Sequence, residues 1–321
     1  MKISIVTPAP PRTHYGNRVT AIRWARILRS LGHRVAVAQD YNGEPCDLLI
    51  ALHARRSYPA VRLFRQLHPH RPLILALTGT DLYCDLPRSR AAQWSCEMAT
   101  RIVVLQPKAK ERLPRKLHRK VRVIYQSIAF PAIRPKSVRT APRQSTFDVC
   151  VIGHLRPVKD PFRTARAARL VPPSSRLRVL HLGAAMTATM ASRARAEMAA
   201  NHRYLWLDEQ TPGRVRQILA RSRLCVLSSK LEGGANVLSE ALVAGTPVLC
   251  SRIPGSTGIL GEKYAGYFNV GDTAALAKLL LRAETEAGFL RALCRHCARL
   301  RPLFRPEREE RAWRRLLAEL H

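Results

Sequence analysis

The 321-residue chain is short of acid: 22 Asp and Glu stand against 55 Lys and Arg, a formal charge of +33. Lysine is scarce as well, at 10 residues against 45 arginines, and aromatics make up only 6%. A nucleic-acid binder gathers its cations into a stripe with interleaved aromatic platforms. Here the arginines run from Arg12 to Arg315 without a tract, so no nucleic-acid role is expected and most of the charge reads as solvated surface. Long apolar runs are missing too. Leu48–Leu52 and Leu73–Leu77 are among the longest, far below the roughly 20 residues that cross a bilayer. The start, MKISIVTPAPPR, has too short an apolar stretch for a secretory leader, which makes the cytoplasm the expected location. No repeat of solenoid length is visible. Cys294 and Cys297 have no second pair at matching spacing, so no structural metal is expected. Cys150, Cys225 and Cys250 lie in apolar runs, where reduced, buried thiols are the ordinary case.

What remains is a chain with 46% hydrophobic residues, too many for disorder, and long enough for two cores. Short β-rich runs alternate with helical patterns, which predicts parallel sheets covered by helices. Strands are expected from Lys2, His33, Asp47, Leu73, Arg101 and Val121, then from Phe147, Leu177, Tyr204, Leu224 and Pro247. Between the two series, residues 127–146 carry three prolines and no periodicity, as a linker would. Trp313, Leu316, Leu317 and Leu320 recur at helical spacing in a final segment. The expected fold is α/β, with two doubly wound Rossmann-like domains at 1–140 and 141–303 and a terminal helix at 304–321. Ligands of such sheets bind beyond the carboxyl ends of the strands, so the residues there deserve the closest reading.

The segment SSKLEGGANVLSEALVAGTPVLCS starts at Ser228. After a strand comes a loop with Glu232, Gly233 and Gly234, then a helix that Asn236 would cap and Gly245 would end. Glycines at a helix entrance let backbone approach a ligand, and the open N–H groups favour a phosphate or diphosphate. Glu232 before the helix and Glu240 in its second turn suit hydroxyl groups. A diphosphate flanked by two polyols, meaning a nucleotide sugar, satisfies all of these features. A second segment, VIGHLRPVKDP from Val151, sets Arg156 and Lys159 three apart, each followed closely by a proline (Pro157 and Pro161), where two restrained cations could neutralise a diphosphate leaving group. A third, from Pro8, places Gly16 and Asn17 at the entrance of a helix whose Ala21, Trp24, Ala25 and Leu28 share one face; no G-x-G-x-x-G follows the first strand, which speaks against a dinucleotide. Two further strand ends carry His53, Arg55 and Arg56, and Gly79, Thr80 and Asp81. His53 also fits a structural role, Arg55 and Arg56 a solvated one, and Asp81 a helix N-cap.

The E-x7-E spacing from Glu232 to Glu240, followed by EALVAGTPV, resembles the donor-site signature of retaining GT-B glycosyltransferases of family 4. The resemblance implies that Glu240 binds the donor ribose and Glu232 the transferred sugar, with Gly234, Ala235, Asn236 and Val237 holding diphosphate and sugar hydroxyls. It gives Gly153, Arg156 and Lys159 the departing diphosphate, and the Gly16/Asn17 loop a place beside donor and acceptor. It also implies a GT-B architecture whose domains face a cleft and whose terminal helix crosses back to the first. Many such enzymes carry a His where this chain has TGTD, a departure from ordinary sugar-hydroxyl acceptors. Taken together, YGNRVTAIRWA, LTGTD, GHLRPVKDP and EGGANVLSEA are similar to one narrow branch, the selenosugar synthases of selenoneine biosynthesis.

That similarity implies glycosyl transfer from a UDP-sugar, UDP-N-acetylglucosamine in the first instance, to selenophosphate, releasing UDP and phosphate. A selenium nucleophile is already anionic and needs cations more than a base. The acceptor set is then Arg12, Asn17, Arg18, His53, Arg55, Arg56, Thr80 and Asp81, with Arg156, Lys159, Glu232 and Asp81 as the catalytic candidates. No cofactor and no metal are implied. The partners are the two small substrates, with selenophosphate synthase and selenoneine synthase as pathway neighbours, and no stable membrane insertion. An ordinary GT-B enzyme acting on a lipid or polysaccharide acceptor is the alternative.

Overall fold

A computed structural model describes residues 1–13, 15–129 and 146–320. The chain divides into two compact units, one formed by Met1–Ser127, Glu232–Gly234 and Arg305–His321, the other by Ile128–Leu231 and Ala235–Phe304. The expected border at 140/141, with most of the proline-containing linker, lies outside the described residues.

The first unit holds β1 (Lys2–Val6), α1 (Gly16–Ser30), β2 (Arg34–Ala38), β3 (Leu48–Leu52), α2 (Tyr58–Leu67), β4 (Leu73–Leu77), α3 (Arg90–Met98), β5 (Arg101–Val104) and β6 (Val121–Val123). Its sheet is parallel throughout, in the order β2-β1-β3-β4-β5-β6. β3 and β4 are apolar at every position and buried at every position, because helices cover both faces of a parallel sheet. β2, at the edge, keeps part of each side chain in solvent.

The second unit holds β7 (Phe147–Ile152), α4 (Arg163–Arg169), β8 (Leu177–Leu182), α5 (Ala188–Ala200), β9 (Tyr204–Trp206), α6 (Pro212–Arg221), β10 (Leu224–Leu227), α7 (Asn236–Ala244), β11 (Val248–Ser251), α8 (Pro254–Leu260), β12 (Tyr267–Phe268), α9 (Thr273–Thr285) and α10 (Ala287–Leu300). Its sheet runs β12-β11-β10-β7-β8-β9, again parallel. Each expected strand forms. β12 adds an edge strand of two residues, too short to show a period in sequence. Cys150, Cys225 and Cys250 are reduced and buried on three neighbouring strands.

The terminal helix α11 (Pro306–Ala318) counts with the first unit. Its attachment is specific. Trp24 of α1 packs edge-on against Trp313 with ring centroids 4.9 Å apart, both side chains fully buried. The Trp24 Nε1–H donates to Glu309 Oε1 at 2.7 Å, while the other carboxylate oxygen accepts from the Ser127 N–H at 2.7 Å and its hydroxyl. A buried carboxylate is tolerable only with such partners, and these fix how α11 lies on α1. Among the described residues no helix is long and apolar enough to cross a membrane.

Candidate donor and acceptor sites

In the second unit the strand order reverses direction between β7 and β10, the position where open α/β sheets leave a crevice beyond the strand ends. The loop after β7 carries Gly153, Arg156 and Lys159. Residues 157–159 make one turn of 3-10 helix, closed by Asp160 in the left-handed region at φ 45°. The turn is held from behind: Ser228 Oγ, just past β10, donates to the carbonyls of Lys159 at 3.1 Å and Asp160 at 2.9 Å. The Lys230 N–H reaches the Val158 carbonyl at 2.8 Å, and Asp160 pairs with Arg163 at 2.7 Å. With the backbone secured on its inner side, Arg156 is left exposed and Lys159 half-buried.

Past β10, α7 starts one residue earlier than an Asn236 cap requires. Ala235 is the N-cap and makes no side-chain cap bond, so Asn236 is the first helical residue, a correction to its expected capping role. No acidic residue occupies the first turn, and Gly245 ends the helix at φ 78°, the left-handed cap its position implied. Asn236 and Glu240 are four apart and share a half-exposed face, whereas Leu238, Ser239, Ala241 and Leu242 are buried. Glu232, Gly233 and Gly234 are grouped with the first unit, and Ala235 and Val237 stay with α7.

Gly153 requires a second correction. Its N–H donates to the Leu182 carbonyl at 2.8 Å, so it offers no amide to a diphosphate. Its carbonyl is held as well, at 3.2 Å from Nε2 of the buried His181, whose Nδ1 lies 2.9 Å from the Tyr204 hydroxyl.

In the first unit the reversal falls between β1 and β3. His53, directly after β3, is buried and adopts φ 77°, strain that a non-glycine residue keeps only when its surroundings fix it. Its Nδ1 accepts the Arg56 N–H at 3.3 Å, which leaves the proton on Nε2, 3.2 Å from Thr80 Oγ1 and 3.7 Å from Asp85. Burial lowers the His53 pKa, with Asp81 pulling the other way, so the ring is neutral near pH 7. Asp85, not singled out from sequence, also binds Arg55 Nε at 3.2 Å.

Asp81 is the clearest correction. It is fully buried, and its carboxylate accepts the N–H groups of Ala54 at 3.1 Å, Thr78 at 3.0 Å and Gly79 at 2.7 Å. Those bonds stitch the loop after β3 to the loop after β4. A carboxylate so occupied and so buried is a scaffold group, not a base or an acceptor ligand.

The four arginines proposed for an acceptor differ in their surroundings. Arg12 and Arg56 are exposed, and Arg55 is paired with Asp85. Arg18, half-buried in the first turn of α1, has Nη1 buried without a hydrogen-bond partner among the described residues. Gly16 and Asn17 precede it at the helix start, where the N-cap, Tyr15, supplies no side-chain cap bond.

Residues 134–299, more than half of the chain, match the family model described as glycosyl transferases group 1, and the chain belongs to that family. Its fold is GT-B. It is similar to the structure of Anabaena HepE in complex with UDP and glucose, at 15% identity and TM-score 0.76, covering 99% of this chain and 100% of that one. Sucrose-phosphate synthase from Thermosynechococcus elongatus superposes at 15% identity and TM-score 0.75, over 99% and 98% of the two chains. The lipopolysaccharide outer core galactosyltransferase WaaB in its apo form does so at 13% identity and TM-score 0.69, over 99% of each. No curated protein sequence matches the chain.

Proposed function

We propose that this glycosyltransferase is a selenosugar synthase, which transfers the sugar of UDP-N-acetylglucosamine or a related UDP-sugar to selenophosphate. The observation that supports the donor half is that the Arg156/Lys159 loop after β7 and the start of α7 after β10, with Asn236 and Glu240, both follow strands that flank the strand reversal of the second unit. The UDP in the HepE structure supports a uridine nucleotide in this fold. The acceptor half rests on the resemblance of four sequence strings to the selenosugar synthase branch.

On this reading Glu240 holds the ribose, the start of α7 faces the diphosphate, and Glu232 takes hydroxyls of the transferred sugar. Selenium attacks the anomeric carbon as the bond from that carbon to the diphosphate oxygen breaks and its electron pair leaves on UDP. Arg156 and Lys159 meet that developing charge, so no metal is needed. Cleavage of the Se–P bond by water then gives phosphate and a 1-selenosugar. Asp81, occupied by backbone amides, leaves that loop without a base, which suits a nucleophile that arrives deprotonated. Among the arginines, Arg18 is the first choice to hold the acceptor oxyanion, because a guanidinium nitrogen buried without a partner is costly until an anion supplies one.

The test is to incubate the chain with UDP-N-acetylglucosamine and either selenophosphate or thiophosphate, in the presence of EDTA, and to identify products by mass spectrometry. The reading requires a sugar bonded to selenium or sulfur together with UDP. Transfer to a sugar or lipid hydroxyl, with none to selenophosphate, overturns it and keeps the glycosyltransferase.

A further inference from the structure

His181 is a titratable residue with no part in the chemistry above, and it is 1% exposed on β8. Its two ring nitrogens have different partners. Nε2 lies 3.2 Å from the Gly153 carbonyl, which can only accept, so Nε2 carries a hydrogen. Burial pushes the His181 pKa down to about 4, against the pull of the Gly153 carbonyl, and the ring is therefore neutral at pH 7. Nδ1 is then bare and must accept, which makes the Tyr204 hydroxyl, 2.9 Å away and itself buried, the donor. The direction of every hydrogen in the relay is fixed: Tyr204 to His181 to Gly153.

The far end of that relay is a single peptide unit. Gly183 lies against it so closely that an added Cβ would stand 2.2 Å from the Gly153 oxygen and 2.7 Å from the His154 nitrogen. The Gly183 carbonyl is in turn held by Trp206 Nε1 at 2.8 Å, and the Ala184 N–H by His154 Nδ1 at 3.1 Å. Because the peptide is planar and trans, fixing its carbonyl fixes the direction of the His154 N–H and the heading of the chain into Leu155 and Arg156. An apolar residue would fill this place in a parallel strand equally well, yet the chain keeps a buried imidazole and a buried phenol there. Their shared output is the orientation of one loop.

We propose that the Tyr204–His181 relay is a positioning device for the donor loop: it holds the Gly153–His154 peptide so that Arg156 and Lys159 leave the following turn in the orientation that binds the diphosphate. The proposal rests on the donor reading above. His181 touches no substrate and acts only through the loop.

The experiment compares His181→Phe, His181→Gln and Tyr204→Phe with the wild type in three measurements: UDP binding by calorimetry, donor and acceptor KM with kcat, and amide exchange across residues 153–160. His181→Phe keeps a ring but loses the donor, and should raise the UDP dissociation constant and lower kcat/KM for the donor by about tenfold, the equivalent of one hydrogen bond. Acceptor KM should stay unchanged, and exchange across 153–160 should quicken. His181→Gln, whose amide can still donate to the Gly153 carbonyl, should restore UDP binding to within about threefold, and Tyr204→Phe should show a loss of about the same size. A lowered melting temperature with unaltered UDP affinity and unaltered exchange of 153–160 would mean that the pair serves packing only, and overturns the proposal. If His181→Phe does not fold, Tyr204→Phe and His181→Gln that both keep wild-type UDP affinity and wild-type exchange across 153–160 overturn it equally. A wild type that binds no UDP sinks the donor reading instead; in that case unchanged loop exchange in His181→Phe still decides against the relay.

Discussion

The two units share a plan of six parallel strands but reverse their strand order differently, between β1 and β3 in the first and between β7 and β10 in the second. At the second reversal the backbone is secured from the interior by Ser228, Lys230 N–H and His181, while the Arg156 side chain is exposed and that of Lys159 half-buried. Beside the first reversal the polar side chains are engaged within the unit: Asp81, after β4, takes three backbone amides, and Asp85 takes Arg55 beside His53. On the donor reading proposed above, the difference teaches that a polar residue after a strand is available to a ligand only when something else holds the loop it sits on.

The sharpest way to break this comparison is at Arg156 and Lys159. Replacing either with Ala should lower kcat by about 100- to 1,000-fold, the range for removing one preorganised charge from a developing anion. Steady-state turnover near the wild-type value in both variants would reduce the second reversal to the same scaffold status as the first.

Asp81→Ala tests the opposite claim. Leaving three buried N–H groups without an acceptor should cost about 2–4 kcal/mol, and the melting temperature should fall by several degrees. Turnover per folded molecule should stay within about threefold, whereas loss of a general base would cost roughly 100-fold or more. Asp81→Asn, which keeps an accepting oxygen, should be the milder of the two on stability.

Binding variants separate the units next. Glu240→Ala should weaken UDP about tenfold by calorimetry, as loss of a charged hydrogen bond to ribose predicts, with the fold unchanged by circular dichroism. In the first unit, Arg18→Ala should raise the KM for selenophosphate or thiophosphate about tenfold, and Arg55→Ala by less than about threefold because Asp85 already engages that guanidinium. Equal effects would show that the buried, unpartnered Nη1 is not what selects the anion.

The same contrast explains what could be read from sequence. Alternating apolar runs located the strands, since burial on both faces of β3 and β4 leaves an unbroken apolar signal. The turn after β7 and the end of α7 were legible because Pro157 and Gly245 carry local backbone constraints that do not depend on distant partners. Asp81 was misread for the complementary reason: beside the local amides of Thr78 and Gly79 it takes the Ala54 amide, 27 positions away, a tie between two loops that no local pattern reveals. His181 and Tyr204 lie in runs that read simply as strands, LRVLHLG and YLWLD, and only the pairing of β7, β8 and β9 brings them to Gly153. The one signal available was a histidine two residues before a glycine at the apolar end of β8.

The smallest expected effect lies at Glu319, just beyond α11, and concerns stability alone. Its carboxylate meets Arg122 through two contacts and Arg101 Nε at 2.9 Å, and these, Arg122 foremost, pull its pKa to about 2 from an ordinary 4.5. A depressed carboxylate contributes its stability fully above the ordinary value and loses it as pH falls from about 4.5 towards 2. A third of the Glu319 side chain is in solvent, so water screens the attraction, and Glu319→Gln should cost less than about 1 kcal/mol at pH 7. Urea unfolding of the two proteins should therefore differ slightly at pH 7 and converge as the pH falls to about 2. A large difference at pH 7 would show that α11 is fastened to β5 and β6 by charge. A small one leaves its attachment to the buried Glu309, Trp24 and Trp313, which the sequence's shortage of acid makes notable: one of the few carboxylates in the chain is spent inside the first unit, on holding its last helix.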